Sequence, residues 1–146
     1  MAMFFVEGIP VTKGSTSSYL NKKTGRIVTT SASGKKLKDW ENLIAYKAKK
    51  AGYTTDDGPY RISLIFVLPK PKTTKNDLPI AKNKNDLDKL TRAVLDGLTG
   101  VVYNDDAQVI MIVAEKIYTN NKWPKPGVAV SVFGALLEKS EVKQCD

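Results

Sequence analysis

Residues 83–108 read NKNDLDKLTRAVLDGLTGVVYNDDAQ, and the fold turns on how this run is divided. A helix starting near Asp86 places Leu87, Leu90, Val94, Leu95 and Leu98 on one side, at spacings of three, four, seven and eight. Asp88, Arg92 and Asp96 recur every four residues and form a separate polar stripe, in which Asp96 can pair with Arg92 along the helix. Gly97 and Gly100 suit a helix that is ending, Val101–Tyr103 continue the apolar run, and Asn104-Asp105-Asp106 reads as a turn. Ala107–Tyr118 is apolar and β-branched, which predicts a strand. Asp86 and Asp88 then sit at a helix start and Asp106 at a strand entrance. A helix returning against that strand can bring the three carboxylates together.

Two chemistries compete for these aspartates. Asp and Asn cap helix starts, where a carboxylate also suits the helix dipole, and Asp pairs are common in turns. Hard divalent cations take the same oxygen ligands, with water and phosphate completing the shell. The two uses are compatible, because Asn85 can cap while the aspartates bind metal. Asp56-Asp57-Gly58-Pro59 is the internal control: an acidic pair beside Gly and Pro with no partner Asp-x-Asp, which a turn explains.

Upstream of the central run, residues 69–84 are rich in Pro, Lys, Asn and Thr and carry Lys70, Lys72, Lys75, Lys82 and Lys84. So long a loop inside a compact domain is commonly functional. A cationic loop leading into an acidic site makes sense for a polyanionic substrate: the lysines attract, and the carboxylates hold metal. Lys89, and Lys13 near the N-terminus, are further candidates for DNA contact. The rest of the chain supplies a frame. Met3–Ile9 reads as a strand, and residues 19–28 as a hairpin around Asn21–Arg26. Thr29–Gly34 reads as a small-residue linker, Lys35–Ala51 as a helix with Leu37, Trp40, Ile44, Ala48 and Ala51 on its core face, and Tyr60–Leu68 as a buried strand. Gly127–Leu137 is a last strand, with a polar tail from about 138. The order predicts an α+β fold, a single domain over 1–146 with a mixed β-sheet and two helices packed on it.

Composition narrows the chemistry. The chain has 146 residues, a hydrophobic fraction of 42% and a charged fraction of 26%, ordinary for a soluble globular protein of one domain. No apolar run has the length of a membrane span, and Met1–Val6 is too short for a signal peptide. The single cysteine, Cys145, cannot make an internal disulfide, which suits a reducing cytoplasm. There is no histidine, which removes Ser-His-Asp and Cys-His nucleophile systems and every His ligand or base. Chemistry is left to carboxylates, lysine, arginine and metal-activated water. A formal charge of +8 points to an acidic partner, most simply nucleic acid.

The run Asp86-Leu87-Asp88-x-Leu90-x-Arg92, then Leu95-Asp96-Gly97-Leu98, then Tyr103-x-Asp105-Asp106-x-Gln108-Val109, resembles the RusA family of Holliday-junction resolvases, which shows D-x-D-N-x-x-K, L-D-A-L and D-D-x-Q in this order. Gly8-Ile9-Pro10-Val11-x-Lys13-Gly14 also resembles the start of family members. Family members are small and often phage- or prophage-encoded. The resemblance implies that Asp86, Asp88 and Asp106 are catalytic carboxylates binding one or two Mg²⁺ ions, with Mn²⁺ as a substitute. The residues themselves leave two readings for Asp105 and Asp96: support standing behind those ligands, or structure alone. It implies a homodimer that cuts a four-way DNA junction by paired symmetric nicks in the cytoplasm of a bacterial host, with no organic cofactor and no membrane. Lys89 stands where the family has Asn, and Arg92 where it has a catalytic Lys. Arg92 keeps the positive charge but does not shed a proton near neutral pH. A general flap or branched-DNA nuclease, and a non-catalytic basic DNA-binding protein, are the alternative functions.

Overall fold

The computed structural model describes residues 2–14, 16–31 and 34–134. Strand β1 (Ala2–Glu7) is followed by a hairpin of β2 (Thr16–Asn21) and β3 (Arg26–Ser31), then by helix α1 (Gly34–Lys50). Strand β4 (Tyr60–Leu68), helix α2 (Leu87–Leu98), a 3₁₀ turn (Asp106–Gln108), β5 (Val109–Tyr118) and β6 (Gly127–Gly134) complete the order. The main sheet has four strands in the order β1-β6-β4-β5, and β2-β3 is a separate two-stranded sheet. β4 pairs with β5 in parallel and with β6 antiparallel, so the sheet is mixed and the fold is α+β, as the sequence predicts.

The parallel β4–β5 pair requires a crossover, and α2 with its flanking loops provides it. Alternation along the strands sends Ile62, Leu64 and Phe66 of β4 and Val128, Val130 and Val132 of β6 into one core with Leu90, Val94 and Leu98 of α2 and Ile44 of α1. Each such fully buried aliphatic side chain contributes about 1.5–3 kcal/mol. Trp40, 4% exposed, belongs to this core. The two helices approach closely at Gly97, where an added Cβ would lie 3.1 Å from the Glu41 carbonyl and from Ile44. Gly97 is thus inside α2 for packing, and Gly100, at φ +86°, takes the turn after it.

Boundaries differ from the sequence reading in instructive ways. Residues 29–31 belong to β3 rather than to a linker, because they pair with Thr16–Ser18. β5 begins at Val109 and not at Ala107, because residues 106–108 are wound into the 3₁₀ turn. The expected end of the last strand at 135–137 and the tail from about 138 lie outside the described residues. β5 is an edge strand, and Ile110, Met111, Ile112 and Val113 are 42–57% exposed along it. An edge this apolar lacks the charges and prolines that usually blunt pairing with another chain. No described helix is long and apolar enough to cross a membrane.

Candidate active site

The N-cap of α2 is Asp86, not Asn85. Asn85 is held in the left-handed region at φ +54°, and its carbonyl accepts from Lys116 Nζ at 2.9 Å, which removes it from the capping position. Asp86 makes no side-chain cap hydrogen bond; its carboxylate lies 3.5 Å from Lys89 Nζ, one turn along. From here α2 runs so that Asp88, Arg92 and Leu95 fall on one line, beside Leu87 and Thr91. These residues form one wall of a cleft of about 450 Å³, and Asp106, Ile112 and Ala114 form the other.

Asp106 reaches the cleft because the turn before β5 is pinned on both sides. Asp105 Oδ1 accepts from the Ala107 N–H at 2.8 Å, and Gln108 Oε1 accepts from the N–H groups of Asn104 at 2.8 Å and Asp105 at 3.0 Å, a reciprocal capping box. The amide of Gln108 then donates to the carbonyls of Asp56 at 2.8 Å and Gly58 at 3.0 Å. Asp105 is therefore engaged in the turn. Asp56 and Asp57 do form the turn expected of them: Asp56 Oδ1 accepts from Gly58 N–H at 2.9 Å and from the Tyr60 hydroxyl at 2.7 Å. That turn is also the anvil against which the Asp105–Gln108 segment is fixed. Gln108 is a residue that periodicity alone does not single out; its signal was its place at the end of the D-D-x-Q pattern.

Behind the turn, Tyr103 is fully buried and its hydroxyl donates to the Leu95 carbonyl at 2.6 Å, which ties the loop carrying Asp106 to α2. Burial pushes the Tyr103 phenol far above its ordinary range. Burial also raises Tyr60, together with its hydrogen bond to Asp56, up to about 12 from an ordinary value of 10. A raised phenol pKa means that folding favours the neutral form. The stability this gives is complete below pH 10 and is lost as pH rises through about 12. Urea midpoints measured across that range should fall for the native protein, and Tyr60→Phe should start lower but fall less steeply.

The other expected partners are arranged differently. Asp96 does not pair with Arg92; it holds the ammonium of Lys13, which Glu41 of α1 also contacts at 3.4 Å. The hydrogen bond to Asp96 raises the Lys13 pKa above its ordinary value. With its backbone N–H on the Lys89 carbonyl at 3.0 Å, Lys13 staples the N-terminal loop to both helices. The long reach of lysine and the fold of residues 8–14 over α2 decide this, and neither is visible in helical spacing. Arg92 is consequently without a carboxylate partner among the described residues; it is exposed, and its guanidinium lies beside Gly14, 3.6 Å from where a Cβ would stand. In the loop, Lys70 lies 4.0 Å from Asp77, while Lys72, Lys75, Lys82 and Lys84 are exposed and unpaired among the described residues. Lys89 faces Asp86.

Among the described residues, no group of three or more Asp, Glu, His or Cys side chains is close enough to hold a metal ion. The expected trio is thus not assembled: Asp88 and Asp106 face one cleft, and Asp86 turns to Lys89. Mg²⁺ is nevertheless commonly bound through one or two carboxylates, with water and substrate phosphate completing its octahedron. The donor set offered by Asp88 and Asp106 fits that habit.

A basic α+β protein with two carboxylates and an unpaired guanidinium around one cleft has the make-up of a nuclease, and comparison with known families gives the same class. The family model described as Endodeoxyribonuclease RusA matches residues 8–132, a span that includes both walls of the cleft. The chain belongs to the RusA endodeoxyribonuclease family. A search of curated proteins found no match.

Proposed function

We propose that this protein is a divalent-metal-dependent endonuclease that resolves four-way DNA junctions by paired symmetric nicks. The observation that carries this reading is the convergence of Asp88, Arg92 and Asp106 on one cleft of a chain with net charge +8. Asp88 and Asp106 would hold Mg²⁺ or Mn²⁺, and Asp86, at the head of the same helix, is the third carboxylate the family resemblance implies. Bound there, the cation would supply Lewis-acid polarisation of the scissile phosphate and activation of water. Water adds to phosphorus, the bond to the 3′ oxygen breaks, and the products are a 5′-phosphate and a 3′-hydroxyl that a ligase can rejoin. Arg92 donates to the non-bridging oxygens as charge builds on them and keeps its own proton throughout. Leu87, Leu95 and Ile112 wall the cleft with apolar surface, which strengthens these interactions. The unpaired lysines of residues 72–84 draw in the phosphate backbone.

Two matched nicks in a two-fold substrate call for two copies of one site, hence a homodimer with an isologous interface. The apolar edge of β5 supports self-association, since an antiparallel pairing of one strand with itself is isologous and this edge carries no charge from Val109 to Ala114. Val113→Lys should convert the dimer to a monomer in sedimentation velocity and uncouple the two nicks. A dimer unchanged by Val113→Lys places the interface elsewhere. The setting is the cytoplasm of a bacterial host, with the gene of host, phage or prophage origin.

The function is tested with a labelled mobile four-way junction, a flap and a linear duplex of equal length, each with Mg²⁺ or EDTA. Paired symmetric nicks in the junction alone, lost with EDTA, are expected. Equal cutting of the flap would make the protein a general branched-DNA nuclease. Tight junction binding with no cutting in Mg²⁺ or in Mn²⁺ would reduce it to a binding module.

A further inference from the structure

A second cavity, of about 280 Å³, lies at the base of the lysine-rich loop, beyond the N-terminal end of α2 from the cleft. Its walls are the apolar pyrrolidine rings of Pro69, Pro71 and Pro79 and the side chain of Tyr118, with Thr73, Thr74, Lys84 and Asn85 at its polar positions. Tyr118 is 8% exposed. The volume falls just under the ~300–1,000 Å³ usual for small-molecule sites, too small for a duplex end and suited to one flat ring. Asn85 presents a primary amide with no partner among the described residues, able both to donate and to accept. Asn83 and Asn85 both lie in the left-handed region, at φ +61° and +54°, and Lys84 between them lines the cavity. Strained backbone of this kind persists where the surroundings hold it, and here the Lys116 ammonium holds the Asn85 carbonyl.

The cavity is in line with the cleft. Ile112 and Ala114 line the cleft, Lys116 braces Asn85, and Tyr118 lines the cavity, all on one face of β5. From Ala114 to Tyr118 is about 13 Å at ~3.3 Å per residue. At ~3.4 Å per nucleotide in a stacked strand, and more in an extended one, that is about two to four nucleotides. A strand laid along the exposed lysines with a phosphate in the cleft brings a base over the cavity.

We propose that this cavity receives one nucleobase unstacked from the bound DNA strand, a few nucleotides from the phosphate that is cut, and that it biases where the enzyme cuts. The ring packs between the prolines and Tyr118, the amide of Asn85 reads its edge, and Lys84 meets its phosphate. The inference rests on the reading of DNA as substrate. Unstacking costs a few kcal/mol in a duplex and least where pairing is already broken, as at a branch point.

The test uses the full chain in EDTA, so that DNA is bound but not cut, with 2-aminopurine placed singly at each position around the branch of an immobile junction. Fluorescence should rise at one position two to four nucleotides from the cut site and at no position of the matching linear duplex. Ala81 also lines the cavity, and Ala81→Trp, which fills it, should abolish the rise with junction binding retained. Asn85→Gly keeps the left-handed backbone and removes the amide; in Mg²⁺ on a mobile junction it should flatten the distribution of cut sites with the total rate of nicking retained. No rise at any position, or a rise and a cut-site distribution unchanged in both variants, would overturn the proposal. A rise in a protein that cuts no junction would keep the cavity as a base site and overturn the nuclease reading instead.

Discussion

Asp88→Asn or Asp106→Asn should lower junction nicking by about 10³-fold or more, equivalent to about 4 kcal/mol at ~1.36 kcal/mol per decade. Each substitution preserves shape and removes one formal negative charge. Both side chains are exposed to the cleft and neither is needed in the apolar core, so folding is expected to be unaffected. On the proposed reading the loss falls on catalysis, because the two carboxylates would hold the cation that stabilises charge at the phosphate. Binding moves the other way: with one repulsive carboxylate gone from a site that faces phosphate, junction affinity in EDTA stays equal or rises. Nicking rates under single-turnover conditions and gel-shift affinities on the same junction separate the two effects. A parallel loss of both would mean that the aspartates serve the fold.

Arg92→Ala should cost about 10²–10³-fold in the nicking rate, the range found when one preorganised donor to a developing oxyanion is removed. The structure motivates this by what Arg92 lacks: Asp96 is occupied by Lys13, so the guanidinium is held by no carboxylate among the described residues and is open to phosphate. Arg92→Lys restores the charge and so recovers part of the rate, but as a point charge without the planar fork. It also introduces a group that can lose its proton. The rate of Arg92→Lys should therefore fall on the alkaline side at a pH where the native enzyme's does not. Coincident pH profiles with a fully restored rate would show that charge alone matters at this position.

The architecture was largely legible because it is written in local periodicity. The seven-and-eight spacing of Leu87, Leu90, Val94, Leu95 and Leu98 marks α2, and continuous apolar runs mark β4 and β6. The sequence reading grouped Asp86, Asp88 and Asp106 because each adjoins an element end, and of these Asp88 and Asp106 line one cleft. What stayed hidden depends on contacts between distant parts of the chain. Asp96 lies one turn from Arg92, yet a lysine from residues 8–14 reaches it first. The Asp56-Asp57 turn braces the turn that carries Asp106 through Gln108, across a separation of about 50 residues. Asp86 belongs by spacing with Asp88, but neighbours two apart on a helix point in different directions, and Lys89 at i+3 is on its own side. The exposure of Ile110–Val113 also escaped, because an apolar β-branched run looks the same whether its strand is central or at an edge.

The claim at the centre is that Asp88 and Asp106 make one divalent-cation site, and the nearby acidic turn does not. Mn²⁺ titration followed by the electron paramagnetic resonance signal of the free ion tests it without reference to activity, on the native chain, Asp88→Asn and Asp57→Asn. The account predicts equal affinity for the native chain and Asp57→Asn, and a loss of at least about tenfold in Asp88→Asn. Equal Mn²⁺ binding by Asp88→Asn and the native chain, or a loss confined to Asp57→Asn, would contradict it.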